Sequence, residues 1–310
     1  MRPALIAQKQ AVALRKVPHT IGLRRDADEA GAAQLGEGVV ECRAWGAGQL
    51  DVCGGEPWPA GGDDGADLVV LPEFLWMGLE PFVAQDDKLR GIAGLFWDDL
   101  WPRIAPRLSQ ADKGVVLGTV PFLGPDGLLR NRAPIWDGLA FRHQDKLHLT
   151  PWEAAFVGGD GVGLWSFRGV RCVVVICLDV EIPELAAVLR GQGVELMLVP
   201  SATETILGVE RVGRCADARS VELGCHVGVC HLVGRTNSVL IDENVGRAAA
   251  FAPSQAAFRD EPRHLATPVC AEGDHALTVD IDLALLRRHR ATPGETDPSK
   301  LTARPLRLLS

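Results

Sequence analysis

Short apolar runs alternate with segments of helical spacing along most of this chain. Ala66–Leu71 is a brief apolar run that ends in Pro72-Glu73. Pro81–Leu108 has helix-like spacing, with apolar positions at Ile92, Leu95, Phe96 and Leu100, and Pro102 and Pro106 interrupt its end. Val115–Phe122 reads as a strand, and Asn131–Trp136 with Gly138–Arg142 reads as a hairpin. Two further strands, Val162–Phe167 and Val170–Cys177, precede a helix over Ile182–Arg190. A buried strand over Gly193–Pro200, a helix over Gly208–Leu223 and a strand over Cys225–Val233 follow. His275–Ile281 is a late strand and Leu283–Arg288 a short helix. Before residue 66 the pattern is faint: Leu5–Leu14 and Val39–Trp45 are the strand candidates, and Gly54-Gly55 and Gly61-Gly62-Asp63-Asp64-Gly65 mark loops.

The order mixes βα units with hairpins, which predicts a layered α/β sandwich rather than a purely parallel, doubly wound sheet. No internal repeat and no linker after residue 66 divides the chain. Residues 1–290 therefore read as one domain, and residues 291–310, with Pro293, Gly294 and Pro298, as an extended C-terminal tail suited to docking on a partner subunit.

Composition narrows the function. The 310 residues are 47% hydrophobic and carry a net charge of −8. No basic stripe offers a footprint for phosphates, so nucleic acid is not an expected partner. No apolar run is long enough to span a bilayer, and Met1–Arg15 lacks the apolar core of a signal peptide, so no membrane is expected and the cytoplasm is the expected location. Eight cysteines in a chain of this length, several inside apolar runs, fit a reduced protein rather than a disulfide scaffold. The chain has no tyrosine, which removes a phenol from its catalytic acids.

Three segments each present one reactive group. Glu73 closes Val69-Val70-Leu71-Pro72-Glu73, Lys146 opens Lys146-Leu147-His148-Leu149-Thr150-Pro151-Trp152-Glu153, and Cys177 ends the run Val173–Cys177 just before the helix signal Pro183-Glu184. The C-terminal edge of such a strand is where open α/β sheets bind ligands, and a thiol at a strand-to-helix elbow can have its thiolate stabilised by the helix N-terminus. Acyl transfer through a thioester needs this combination. A carboxylate takes the thiol proton and later delivers it to a leaving amine. An ammonium with a backbone N–H stabilises the oxyanion.

These segments resemble the nitrilase (carbon–nitrogen hydrolase) superfamily. The likeness rests on Pro72-Glu73, on Lys146 with Pro151-Trp152-Glu153, and on Ile176-Cys177-Leu178-Asp179 with Pro183-Glu184. Gly118-Thr119-Val120-Pro121, Asn131, Val199-Pro200-Ser201 and Arg219-Ser220-Val221-Glu222 support it. It covers residues 66–235, and Ala276–Arg288 weakly. The resemblance implies a four-layer αββα sandwich that dimerises through a helical face, with no metal or organic cofactor. It implies Cys177 as nucleophile, Glu73 as general base then acid, Lys146 as oxyanion stabiliser together with the Leu178 N–H, and Glu153 as the second acid. Trp76, Trp152, Asn131 and Glu181 are the candidates for the substrate pocket. Leu178 and Glu181 stand where the family often carries an aromatic and a basic residue. The implied activity is hydrolysis of a small amide or carbamoyl compound. A nitrilase, an amine-accepting acyltransferase of the same fold and a non-catalytic scaffold are the alternatives.

Other signals are weaker. Cys225-His226 and Cys230-His231 resemble metal ligands, but residues 225 and 230 fall on opposite faces of a strand, so no metal is expected. Gly158-Gly159-Asp160-Gly161-Val162-Gly163 precedes a strand rather than a helix and reads as a turn, not a phosphate loop. No Gly-x-Ser-x-Gly elbow and no His-Glu-x-x-His helix is present.

Overall fold

The computed structural model describes residues 38–44 and 66–300, apart from 85, 111–112, 236–240, 273–274 and 293–296. The strand candidate Leu5–Leu14 lies outside the described residues.

One sheet holds β1 (Gly38–Ala44), β2 (Leu68–Leu71), β3 (Gly114–Leu117), β4 (Val120–Leu123), β5 (Leu129–Trp136), β6 (Phe141–Asp145) and β15 (His275–Ile281). Its order is β15-β1-β2-β3-β5-β4, with β6 also paired to β5. The second sheet runs β14-β13-β10-β9-β8-β7. Its members are β7 (Leu164–Phe167), β8 (Val170–Val174), β9 (Leu196–Ser201), β10 (His226–His231), β13 (Ala248–Phe251) and β14 (His264–Ala266). A small ribbon joins β11 (Gly234–Arg235) to β12 (Glu243–Asn244).

Period-2 alternation sorts β2 between two apolar layers. Leu68 and Val70 join Val116, Ile135, Val173 and Met197 between the sheets. Val69 and Leu71 face the other way, toward Ile92, Phe96, Leu100 and Leu108 of the helices α1 (Lys88–Gly94) and α2 (Trp101–Leu108) and the turn between them. On the second sheet, α3 (Pro183–Leu189) and α4 (Ile206–Leu223) form the outer layer. Helix α4 buries Val209, Val212, Gly213, Ala216, Ser220 and Leu223, the stripe that a helix of 3.6 residues per turn presents to a sheet. It starts at Thr205, whose hydroxyl accepts the Gly208 N–H, and ends at Gly224 in the left-handed region. The architecture is the expected αββα sandwich. Each buried Val or Leu in it contributes about 1.5–3 kcal/mol of transfer free energy.

Three expectations change. The single helix over Pro81–Leu108 is broken into a 3₁₀ segment at Leu75–Phe82, then α1, a π-helical turn at Leu95–Leu100, and α2. In the π turn the Trp101 N–H reaches back to the Phe96 carbonyl, just before Pro102, which has no N–H to give. The strand over Val115–Phe122 is two strands, β3 and β4, because Gly118 between them takes φ +66°. The strand to Cys177 stops at Val174, and Cys177 begins a 3₁₀ turn, Cys177–Glu181. Beyond α5 (Leu283–Ala291), among the described residues, Pro298–Lys300 forms a 3₁₀ turn and buried Asp297 meets His289 Nε2 at 2.9 Å.

Candidate active site

The reactive groups converge where the C-terminal edges of the two sheets meet. Pro72-Glu73 leaves β2, and the next residue, Phe74, turns left-handed at φ +57° with its N–H given to Thr119 Oγ1 at 2.8 Å. Gly118 permits this: a Cβ there would lie 2.2 Å from the Pro72 carbonyl oxygen. Thus the Gly118-Thr119 break in the sheet seats the acid-bearing turn.

Lys146 follows β6, and its N–H bonds the Asn131 carbonyl at 2.9 Å. Gly158 passes so close to this loop that a Cβ would lie 2.4 Å from the Leu147 carbonyl oxygen, and the Gly159 N–H donates to the Lys146 carbonyl at 2.9 Å. The glycine-rich stretch therefore packs against the lysine loop. Glu153 sits on the 3₁₀ turn Pro151–Glu153, in a capping box with Thr150.

Lys146 and both acids are almost fully buried, at 1–2% side-chain exposure. Lys146 Nζ donates to Glu73 Oε1 at 2.8 Å and to Glu153 Oε2 at 2.7 Å. Asn131 Nδ2 donates to Glu73 Oε1 at 2.9 Å and Glu153 Oε1 at 3.1 Å. The Ala202 N–H, just past β9, donates to Glu73 Oε2 at 3.0 Å. Each charge is thus paired or hydrogen-bonded, as burial requires.

Cys177 is 6% exposed and stands at φ +46°, a strained conformation for a residue with a Cβ. Its thiol donates to the Ala202 carbonyl at 3.5 Å and interacts with the Glu73 carboxylate. Two features hold its turn. Buried Arg219 on α4 donates from Nε to the Val180 carbonyl at 3.0 Å. Asp179 accepts the Leu147 N–H at 3.0 Å and the His148 N–H at 2.7 Å.

Proton affinities are displaced. Burial lifts the Glu73 carboxyl from 4.5 to about 7, against the opposing pull of the Lys146 charge. Burial and the facing Glu73 charge push the Cys177 thiol up. Burial alone would pull the Lys146 ammonium down, but Glu73, Cys177 and Glu153 more than reverse this and keep it charged. Burial and Glu73 thus act against the thiolate that a helix terminus would favour.

A cavity of about 200 Å³ opens over these groups, and Cys177, Leu178, Glu181 and Trp152 line it. Trp152 is 70% exposed at its rim, and Glu181 is ion-paired to Arg211 at 2.5 Å. Two expected pocket residues lie elsewhere. Trp76 is packed against Phe96 in the outer apolar layer, its indole N–H given to the Leu117 carbonyl at 2.8 Å. Asn131 stands behind the carboxylates and holds them rather than meeting a ligand.

The carbon-nitrogen hydrolase family model matches residues 12–287. The chain belongs to the carbon–nitrogen hydrolase family. Among its curated relatives, a probable hydrolase, YhcX, of Bacillus subtilis is 31% identical over 236 residues, 74% of this chain and 45% of that protein. An (R)-stereoselective amidase of Pseudomonas sp. is 30% identical over 161 residues, 51% of this chain and 56% of that one. The chain thus spans about half the length of these relatives. Among solved structures, a mutant of the amidase from Nesterenkonia sp. AN1 superposes with a TM-score of 0.60 at 21% identity, over 84% of this chain and 97% of the other. That structure shows covalent addition of the acetamide moiety of fluoroacetamide at the active-site cysteine.

The sequence reading missed Ala202, Asp179 and Arg219 as positioning groups. Ala202 acts through its backbone and leaves no side-chain signal. Asp179 stood inside the quoted nucleophile motif, and Arg219 inside a supporting one.

Proposed function

We propose that this carbon–nitrogen hydrolase is an amidase that cleaves a small amide or carbamoyl compound through a thioester on Cys177. The observation that carries the reading is Glu73, held between the Cys177 thiol and the Lys146 ammonium with a proton affinity near neutrality. Glu73 accepts the thiol proton as Sγ forms a bond to the amide carbon. The carbonyl oxygen becomes an oxyanion facing Lys146 and the Leu178 N–H. Its collapse breaks the C–N bond, and Glu73 returns the proton to the departing ammonia or amine. Water, deprotonated by Glu73, then attacks the thioester, releasing a carboxylic acid and restoring the thiol. Glu153 holds Lys146 in register throughout.

Two further features extend the reading. Cys172, Cys177, Cys215 and Cys225 are free thiols, which supports a reducing compartment such as the cytoplasm. Val188 on α3 and Ile206 and Leu207 on α4 are exposed at 63%, 46% and 68%, which supports a homodimer through that helical face.

The test is ammonia release from small amides, N-carbamoyl amino acids and nitriles, with Cys177→Ala run beside the wild type. Release by the wild type alone establishes the cysteine hydrolase and ranks the substrates. Equal release by Cys177→Ala would overturn the assignment. No release, with Cys177 alkylating rapidly, points to an acyl transfer resolved by an amine.

A further inference from the structure

The cavity over Cys177 has a sign and an unfilled hydrogen-bond position. Among the described residues, four carboxylates, Glu73, Glu153, Glu181 and Glu204, line it against two cations, Lys146 and Arg211. Both cations are engaged, Lys146 with Glu73 and Glu153, and Arg211 with Glu181. Glu204 is exposed and forms no ion pair among the described residues. The unfilled position belongs to Asn244, which is 2% exposed. Its Nδ2 donates to the Gly234 carbonyl at 3.4 Å, which sets the orientation of the amide. Its Oδ1 is buried with no donor among the described residues. The neighbouring Thr203 hydroxyl cannot serve, since it is given to the Val245 carbonyl at 2.7 Å. A buried acceptor left without a donor needs an account, and for a residue in the cavity wall one account is a donor brought by the ligand.

We infer that the pocket selects amides whose acyl chain ends in an ammonium group, with an N–H given to Asn244 Oδ1 and Glu204 drawing the charge inward. This inference rests on the amidase reading of Cys177. Chains ending in a carboxylate meet the excess of negative charge and an acceptor facing an acceptor, so they are excluded. Binding sites built to hydrogen-bond a donor reject analogues that lack it more strongly than apolar sites reject a change in size.

Three amides of similar length test the inference: 4-aminobutanamide, pentanamide and succinamate. At low salt kcat/KM falls in that order, by about tenfold or more between the first and second. The advantage of the ammonium over the carboxylate shrinks as salt is added. Asn244→Leu brings the ratio of 4-aminobutanamide to pentanamide toward one, whereas Asn244→Asp, which keeps an acceptor, preserves or raises it. Glu204→Gln reduces the ratio of 4-aminobutanamide to succinamate and its salt dependence. Succinamate turned over as well as 4-aminobutanamide overturns the inference, as do ratios that none of these variants moves. A readout independent of amide turnover is alkylation of Cys177 by iodoacetamide, iodoacetate and 2-bromoethylammonium, followed by peptide mass and normalised to free cysteine. In each case sulfur bonds carbon, halide leaves and Glu73 takes the thiol proton. The cationic reagent is expected to be fastest and iodoacetate slowest. That order without any ammonia release means the amidase reading has failed and the charge selectivity stands. Iodoacetate reacting as fast as the others overturns the selectivity whatever the amides do.

Discussion

Asp179 clasps His148 twice with one oxygen: its Oδ1 accepts the His148 N–H at 2.7 Å and lies 2.8 Å from His148 Nδ1. With the Leu147 N–H on its other oxygen, this carboxylate ties the loop that carries Lys146 to the turn that begins at Cys177. Asp179→Ala leaves two backbone donors without their acceptor and lets the lysine loop drift. The expected cost is on the order of 2 kcal/mol of stability, read by urea denaturation. The expected fall in kcat is roughly 10-fold to 100-fold, with Cys177 still open to alkylation. Wild-type kcat in a destabilised Asp179→Ala protein would confine Asp179 to folding.

Removing the ammonium strands two acids. Lys146→Ala leaves Glu73 and Glu153 buried without the cation between them, a change worth on the order of 3–5 kcal/mol. The loss is expected to be smaller at pH 6 than at pH 8, because Glu73 relieves the repulsion by taking up a proton. Thermal melts across that range check it. In folded variant protein kcat falls by a factor on the order of 100 or more, the typical consequence of losing a main oxyanion donor. Unchanged kcat removes Lys146 from the chemistry.

Activity should follow the ionisation of Glu73. The base must be deprotonated, so kcat/KM rises with pH through about 7 and then levels. Glu73→Gln is expected to lose this limb along with a factor of roughly 100 to 10,000 in turnover. The same displacement has the opposite sign for stability. Because the folded carboxyl binds its proton more tightly than the unfolded one at 4.5, Glu73 stabilises the fold at low pH and loses that contribution as pH rises from 4.5 to about 7. A pH series of urea melts, with and without Glu73→Gln, isolates the contribution.

Gly118→Ala tests the support of the acid from a distance. The residue sits at φ +66°, and the added methyl would meet the Pro72 carbonyl oxygen. The left-handed conformation alone costs an alanine about 1–2 kcal/mol, and the clash adds to it. Stability and kcat should fall together, since relief of the clash moves Pro72 and with it Glu73. A stable protein with intact kcat would show that the turn is not under this constraint.

Glu73 and Cys177 could be found in the sequence because each ends an apolar run, and Lys146 and Glu153 through the likeness of their ordered segment to the family. A layered α/β sandwich was legible from the mix of βα units with hairpins, and its αββα order came with the family likeness; the split of β2 between two apolar layers shows only in the structure. What escaped was set by backbone and by distance. The break at Gly118 depends on a left-handed φ within a run that reads as continuous strand. Ala202 contributes an N–H, which every residue but proline possesses. Asp179 finds partners 31 and 32 residues away, beyond any local pattern. Trp76 and Trp152 have like neighbours in sequence, Pro72-Glu73 and Glu153, but packing sends one into the core and leaves the other at the cavity rim.

Glu73 stands on one sheet, while the Ala202 amide that anchors it and the sulfur it serves belong to the other. The reactive ensemble is therefore a property of the seam between the sheets. Either half of the sandwich, however well folded, holds a base without a nucleophile or a nucleophile without a base. On the proposed reading, the thiol meets its base only where the two sheets are docked.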